Sequence, residues 1–367
     1  MKKKCSAKYT LIANALKKDI LSGKYDNHER FPSEEALVRR FGASRPTIER
    51  ALRVLKQEGL LESRAGSGSY LTFAAKNATG AIGIIAPDYR AIEFFTKLCD
   101  AIASEARGQG YDVLLGDVSA PDAADRGNWA IALAQAYAKK KIAGVLLEPV
   151  DLVPDSYEAS KKVLSILTAK KIPVILLDRD YLPFPERSLY DLVGIDNIQS
   201  GYRIAKHMIE NGAKRLRFLT HPNYANTIRA RIYGVAQSAI DAGLEWKSEY
   251  VIENDPADLS FFRKLMRGNN APDAFICRND PTAAKLIQTL KSLNINIPRK
   301  VRVAGFDDSE IANLTAPSLT TIHQPVKTLA EIAVASLLQR IRNPSLPVRT
   351  ILIDAPIVVR GSSTASR

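Results

Sequence analysis

From residue 81 onward the chain repeats one pattern: a short, almost wholly apolar run, then a stretch of helical periodicity. The runs are Ala81–Ala86, Asp112–Asp117, Ala143–Glu148, Pro173–Asp178, Arg215–Thr220, Ala274–Cys277 and Lys300–Gly305. A strand that is apolar at successive positions hides both of its faces. Parallel sheets covered by helices on both sides do this. The pattern therefore predicts an α/β fold built on parallel sheets. Several runs end on polar groups: Asp117, Glu148 and Asp178, then Arg278-Asn279-Asp280 behind Cys277, and Asp307-Asp308 behind Gly305-Phe306. Ligands of open α/β sheets bind beyond the carboxyl ends of the strands. Two such lobes facing each other would gather these groups around one cleft.

Residues 1–73 follow another pattern. A first helix is expected over about 7–21, with Leu11, Ile12, Ala15, Leu16 and Ile20 on its apolar stripe and Gly23 at its end. A second starts behind Ser33 as N-cap, sets Glu34 and Glu35 against the positive helix end, and turns Leu37, Val38 and Phe41 inward before Gly42. A third has Ser44 as N-cap and Pro46 in its first turn, with Ile48, Leu52, Val54 and Leu55 inward and Gly59 as its stop. Two short strands, Leu60–Ser63 and Ser69–Phe73, flank the turn Ala65-Gly66-Ser67-Gly68. Two helices on a short glycine-containing turn, followed by a hairpin, make a winged helix-turn-helix.

Charge adds a direction. Residues 1–73 hold 15 Lys+Arg against 8 Asp+Glu, an excess of +7; the other 294 residues hold 37 against 31, an excess of +6. A compact basic unit points to a polyanion, because neutralising phosphates releases counterions. The third helix would enter the major groove with its N-terminal end nearest the bases. Arg45 is the expected base reader, since a guanidinium can bond guanine with two donors. Ser44 and Thr47 would contact base or phosphate, and Arg39, Arg50 and Arg64 phosphates.

The linked motifs Phe31-Pro32-Ser33-Glu34-Glu35-Ala36-Leu37, Arg40-Phe41-Gly42-Ala43-Ser44-Arg45-Pro46-Thr47-Ile48, Glu58-Gly59-Leu60-Leu61 and Gly66-Ser67-Gly68-Ser69-Tyr70 resemble the GntR family of winged helices. That resemblance implies DNA reading by Ser44, Arg45 and Thr47, a wing formed by Gly66 and Gly68 with DNA contacts at Ser67 and Gly68, and backbone contact by Lys8 and Tyr9. Glu49 departs from it, standing where many members carry Arg.

Residues 80–361 resemble the LacI/GalR effector domains, which share the two-lobed periplasmic-binding-protein-like fold. The resemblance is carried by Ile82-Gly83-Ile84-Ile85, Gly144-Val145-Leu146-Leu147-Glu148-Pro149, Val193-Gly194-Ile195-Asp196-Asn197, Arg231-Ile232-Tyr233-Gly234, Asn279-Asp280 and Val303-Ala304-Gly305-Phe306-Asp307-Asp308. A GntR-type head on such a body is similar to the arabinose repressors. It implies effector contacts at Asp178, Arg231, Asn279 and Asp307, to which the sequence adds Glu148 and Tyr89. Carboxylates accept from vicinal hydroxyls, Arg donates to two, and Asn does one of each. Phe94 and Phe95 serve either as a platform under a ring or as core. Asn197 is expected to be structural, at the crossover between lobes.

The organisation expected is a winged helix-turn-helix DNA-binding domain at 1–73, a small polar linker at 74–80, and a two-lobed effector-binding and dimerisation domain at 81–367. The function expected is transcription regulation, a homodimer on double-stranded operator DNA answering a monosaccharide, with a pentose favoured by the resemblance and purines also possible. Cys5, Cys99 and Cys277 are scattered without metal spacing, which fits a reducing cytoplasm. No apolar run approaches the roughly 20 residues that cross a bilayer. No metal, cofactor or catalytic residues are expected, because dinucleotide, nucleophile-elbow and phosphate-loop motifs are missing. The rival reading is a stand-alone sugar-binding protein or sugar-processing enzyme, for example with Glu148 and Asp307-Asp308 as paired carboxylates.

Overall fold

The computed structural model describes residues 8–21, 24–25, 31–64, 67–71, 80–87, 92–116, 125–140, 142–151, 155–183, 185–222 and 224–364. Three helices open it: α1 (Lys8–Leu21), α2 (Glu34–Phe41) and α3 (Arg45–Gln57). The hairpin β1 (Leu61–Arg64) and β2 (Gly68–Leu71) follows, with Leu61 opposite Leu71 and Arg64 opposite Gly68. The Ser33 hydroxyl accepts from the Ala36 N–H at 3.3 Å, capping α2, and Gly42 at φ +53° ends it. Ser44 holds the N-cap position of α3, but its hydroxyl pairs with that of Thr47 at 2.8 Å instead of a backbone N–H. Ile12, Leu16, Ile20, Leu37, Ile48, Leu52 and Leu55 form the buried core. Two residues assigned to the α1 stripe are outside it: Leu11 is 58% exposed, and Ala15 is exposed. The stripe runs through Ile12, Leu16 and Ile20, and Ala13 fills its flank.

The remaining chain forms two six-stranded sheets. Lobe one takes β3 (Ala81–Ile85), α4 (Glu93–Gly108), β4 (Asp112–Leu115), α5 (Arg126–Lys140), β5 (Gly144–Leu147), α6 (Ser156–Ala169), β6 (Val174–Leu177) and β7 (Asp191–Ile195). Lobe two takes α7 (Asn197–Glu210), β8 (Leu216–Thr220), α8 (Asn226–Asp241), β9 (Val251–Glu253), α9 (Leu259–Arg267), β10 (Ala274–Cys277), α10 (Asp280–Ser292), β11 (Arg302–Asp307), α11 (Glu310–Leu314) and β12 (Thr320–His323). The chain then returns to lobe one as α12 (Val326–Arg342) and β13 (Thr350–Ile353), and ends in lobe two after β14 (Ile357–Val358). The sheet orders are β4-β3-β5-β6-β7-β13 and β9-β8-β10-β11-β12-β14. Every pairing is parallel except β12 with β14.

β5 and β6 are buried at every position, as their continuous apolar sequences require. The chain changes lobe behind β7, β12 and β13, so these crossings join the lobes side by side. Asp191, fully buried at the start of β7, ties the return segment down through Arg340 at 2.8 Å and Arg349 at 3.4 Å. In lobe two α7 and α8 touch backbone to backbone. A Cβ on Gly201 would collide with the Arg231 carbonyl, and one on Gly234 with the Ile198 carbonyl. That contact fixes α8, and with it Arg231.

Candidate functional site

The carboxyl ends of β6, β10 and β11 converge on a cavity of about 60 Å³ between the lobes. Lobe one supplies Phe94, Phe95, Asp151, Asp178 and Arg179. Lobe two supplies Thr227, Arg231, Arg278, Asn279 and Asp307, and Gln324 comes from the crossing behind β12.

Arg231 is 4% exposed. Its Nε donates to Asn197 Oδ1 at 2.9 Å and its Nη1 to the Arg278 carbonyl at 2.7 Å, while its guanidinium lies 4.2 Å from the centre of the Phe306 ring. Burial pulls its pKa below the ordinary arginine value, and the charges of Asp307, Asp178 and Asp280 oppose that pull. Asp307 ends β11 at φ +108° and accepts from Gln324 Nε2 at 2.7 Å. Burial pushes its carboxyl up to about 6, against the pull of Arg231 and the Gln324 bond. Behind it Asp280 accepts from the Thr321 hydroxyl at 2.6 Å and the Ser309 N–H at 2.9 Å. Burial, with the Asp307 charge added, pushes Asp280 up to about 8. Asn279 caps α10, its Oδ1 accepting from the Thr282 N–H at 3.1 Å, and it lines the cavity.

The structure thus gathers Asp178, Arg231, Asn279 and Asp307 around one cavity. Glu148 is not among the lining residues: it is fully buried and holds Arg179 Nη2 at 2.7 Å. Arg179 also bonds Asp178 at 2.8 Å, and it does line the cavity. Sequence reasoning passed over Arg179 although it directly follows Asp178. It passed over Gln324 because β12 went unseen. Asn197, set aside as structural, is the residue that orients Arg231. Phe94 and Phe95 are both core and lining, 6% and 4% exposed. Tyr89 and the Arg64 side chain lie outside the described residues. Asp307 and Asp308, adjacent in sequence, face different surroundings: Asp308 bonds Arg360 at 2.7 Å and His323 at 2.9 Å.

In the first domain the outer face of α3 is basic and exposed. Arg45 leans on Glu34 at 3.0 Å and Glu49 at 3.4 Å, and its side chain remains 70% exposed. The Arg50 guanidinium lies 4.3 Å from the centre of the Tyr9 ring. Lys8 donates to the Gly42 carbonyl at 3.0 Å, so it closes the turn between α2 and α3. Arg39 is exposed. Gly68 takes φ +110°, a conformation open to glycine, and the Ser67 hydroxyl pairs with that of Tyr70 at 2.6 Å.

Residues 8–71 match the bacterial regulatory proteins of the gntR family, and residues 205–364 match the periplasmic binding protein-like domain. A solved periplasmic binding protein/LacI transcriptional regulator from Alkaliphilus metalliredigens QYMF, complexed with D-xylulofuranose, superposes with a TM-score of 0.61 at 22% identity, over 78% of this chain and all of that one. The chain thus joins a segment that matches the gntR family to a body with the periplasmic-binding-protein-like fold. It is 27% identical to the HTH-type transcriptional repressor PurR of Photobacterium profundum over 61% of its own length, and the match spans 65% of that repressor. It is 24% identical to the arabinose metabolism transcriptional repressor of Geobacillus stearothermophilus, over 99% of both chains. No described helix of the chain is long and apolar enough to cross a membrane.

Proposed function

We propose that this protein is a DNA-binding transcription regulator whose operator affinity is set by a sugar held between the lobes of its body. The observation that carries the reading is the cavity itself. Among its described lining residues three arginines (Arg179, Arg231, Arg278) meet three aspartates (Asp151, Asp178, Asp307), with Asn279 and Gln324 beside them. Such a wall balances its own charge and offers donors and acceptors in alternation. That suits a neutral polyol, each of whose hydroxyls both gives and takes. The full-length likeness to an arabinose repressor favours a pentose. Asp178, Arg231, Asn279 and Asp307 are assigned to the effector, joined by Arg179 and Gln324.

Residues 1–73 are assigned to DNA, 74–80 to a linker, and 81–367 to effector binding and dimerisation. On the head, Arg45, Ser44 and Thr47 read bases, while Lys8, Tyr9, Arg39, Arg50, Arg64, Ser67 and Gly68 meet backbone. A homodimer in the cytoplasm would hold half-sites one helical turn apart or a multiple of it. Sugar binding closes the cleft and shifts the heads; coupling of about 1–3 kcal/mol changes operator affinity roughly 5–150-fold. The protein makes and breaks no bond in this reading. Asp307 and Asp308 are held by different partners, Gln324 for the first and Arg360 and His323 for the second, which speaks against an acid–base pair, and a carrier or sugar-processing enzyme leaves the basic head without a role.

Fluorescence anisotropy on DNA from the protein's own promoter region, over a salt series, tests the first half. The expected slope of log affinity against log salt is about −0.9 per phosphate neutralised. Absence of binding even at low salt would return the protein to the carrier or enzyme class.

A further inference from the structure

The cavity between the lobes continues into a larger chamber. The inner chamber, at about 60 Å³, has room for about four to six waters at roughly 10–15 Å³ each, the scale of one small ring. Beside it opens an outer chamber of about 590 Å³. Asp151, Arg179 and Ala225 border both, so a ligand can run from one to the other past the Arg179 guanidinium. The outer chamber is lined by three tyrosines from three elements: Tyr157 in the first turn of α6, Tyr181 behind β6, and Tyr224 before α8 in the other lobe. Tyr157 and Tyr181 stack at 5.8 Å with their planes 29° apart. Tyr157 is 39% exposed, so part of its ring surface is open to a ligand in the chamber, and the Lys161 ammonium lies 5.5 Å from its centre. The Asp151 and Glu186 carboxylates stand in the same wall.

Aromatic rings with a few fixed polar groups are how pockets hold and orient a ring-shaped ligand. We propose that the effector is a disaccharide or longer glycoside, with one sugar in the inner chamber and a second in the outer one against Tyr157, Tyr181 and Tyr224. The proposal rests on the sugar reading above and extends it. The C–H face of the second sugar covers tyrosine surface, and its hydroxyl edge donates to Asp151 and Glu186. A nucleobase in the outer chamber covers the rings as well, but brings few donors to two carboxylates.

Isothermal titration of the full chain with L-arabinose, D-xylose, 1,5-arabinobiose, xylobiose, cellobiose and adenosine tests this. At least one disaccharide is expected to bind tenfold or more tightly than its own monosaccharide. Tyr157→Ala and Tyr181→Ala should each remove most of that gain and leave the monosaccharide within twofold, while Tyr157→Phe keeps it. Monosaccharides that bind as tightly as every disaccharide overturn the outer site and leave the sugar reading standing. Variants that weaken both ligand lengths equally overturn it too, since the tyrosines then only hold the fold. Adenosine as the tightest ligand overturns the second sugar. If none of these ligands binds, the sugar reading itself falls.

Discussion

Arg231 Nε donates to Asn197 Oδ1 at 2.9 Å, and Asn197 is the first residue of α7, just behind the crossing from β7. The cation that faces the cavity is therefore aimed by a residue at the junction of the lobes. In the proposed reading, a ligand that draws on Arg231 acts on the junction between the lobes.

Replacing Asn197 by Leu leaves a buried guanidinium donor without an acceptor. Such a loss costs about 1–3 kcal/mol, or roughly 5–150-fold in affinity. Titration calorimetry should show effector binding weakened by that order in Asn197→Leu, with Asn197→Asp close to wild type because it keeps the acceptor. Equal affinity in all three proteins would separate Asn197 from the site.

The lobes also meet at Glu93, whose carboxylate in α4 accepts from the Glu310 N–H at 3.1 and 3.2 Å. This contact joins the two lobes directly, and it is expected to favour the closed body with or without effector. Glu93→Ala is expected to widen the ligand-free body in small-angle scattering and to weaken the effector about threefold to tenfold, roughly 1 kcal/mol. Unchanged scattering together with unchanged affinity would show the contact to be passive.

Gly234 leaves no room for a side chain where α8 meets α7. Overpacking of this kind costs about 1–3 kcal/mol, and each kcal/mol lowers Tm by about 2–4 °C in a body of this size. Gly234→Ala should therefore melt several degrees below wild type and bind effector worse, because the same shift moves Arg231. Melting at the wild-type temperature would mean that the helices separate at no cost.

Asp280 and Asp307 carry a pH dependence of definite sign. Their carboxyls are raised to about 8 and about 6, whereas an unfolded carboxyl titrates near 4. Between those values the folded chain holds more protons, so stability falls as pH rises through the window. His207 and His221, lowered by burial, act in the opposite direction below about 6.5. The range clear of the histidines and largely below the thiols is thus pH 7 to about 8, where Tm should fall in wild type and fall less in Asp280→Asn. Parallel curves for the two proteins would place the titration elsewhere.

On the head, Glu34 and Glu49 hold Arg45 at 3.0 and 3.4 Å, and in the proposed reading Arg45 leaves them for a base. Arg45→Ala should cost about 1–3 kcal/mol on the best operator and relax the base preference under its position. Arg50→Ala should weaken all sequences alike. Binding measured against a set of operator variants separates the two; identical profiles would deny Arg45 a base.

Much of this was legible in the chain, for physical reasons. Strands buried on both faces, such as β5 and β6, declare themselves as unbroken apolar runs, and the polar residue behind each marked the cleft at Asp178, Asn279 and Asp307. The strands that escaped notice break that rule. β12 reads Thr-Thr-Ile-His, β7 begins with an aspartate that is buried only because Arg340 and Arg349 cover it, and β13 has exposed residues at alternate positions. Gln324 went with β12. Glu148 was read as a ligand contact because it ends a strand; its partner Arg179, distant in sequence, takes it below the cavity surface. Arg231 could be named from its neighbours, but the acceptor that aims it lies 34 positions away and is visible only once α7 and α8 are packed.

The central claim is that one chain couples the cavity to the head. The most direct test is anisotropy on promoter DNA with and without the sugar found by titration, for wild type and for Arg231→Lys, which keeps a cation but loses the two-pronged donor. The account predicts that sugar changes DNA affinity at least fivefold in wild type and leaves it nearly unchanged in the variant, whose affinity without sugar stays at the wild-type level. Sugar binding in the wild-type cleft without any change in DNA affinity would contradict it.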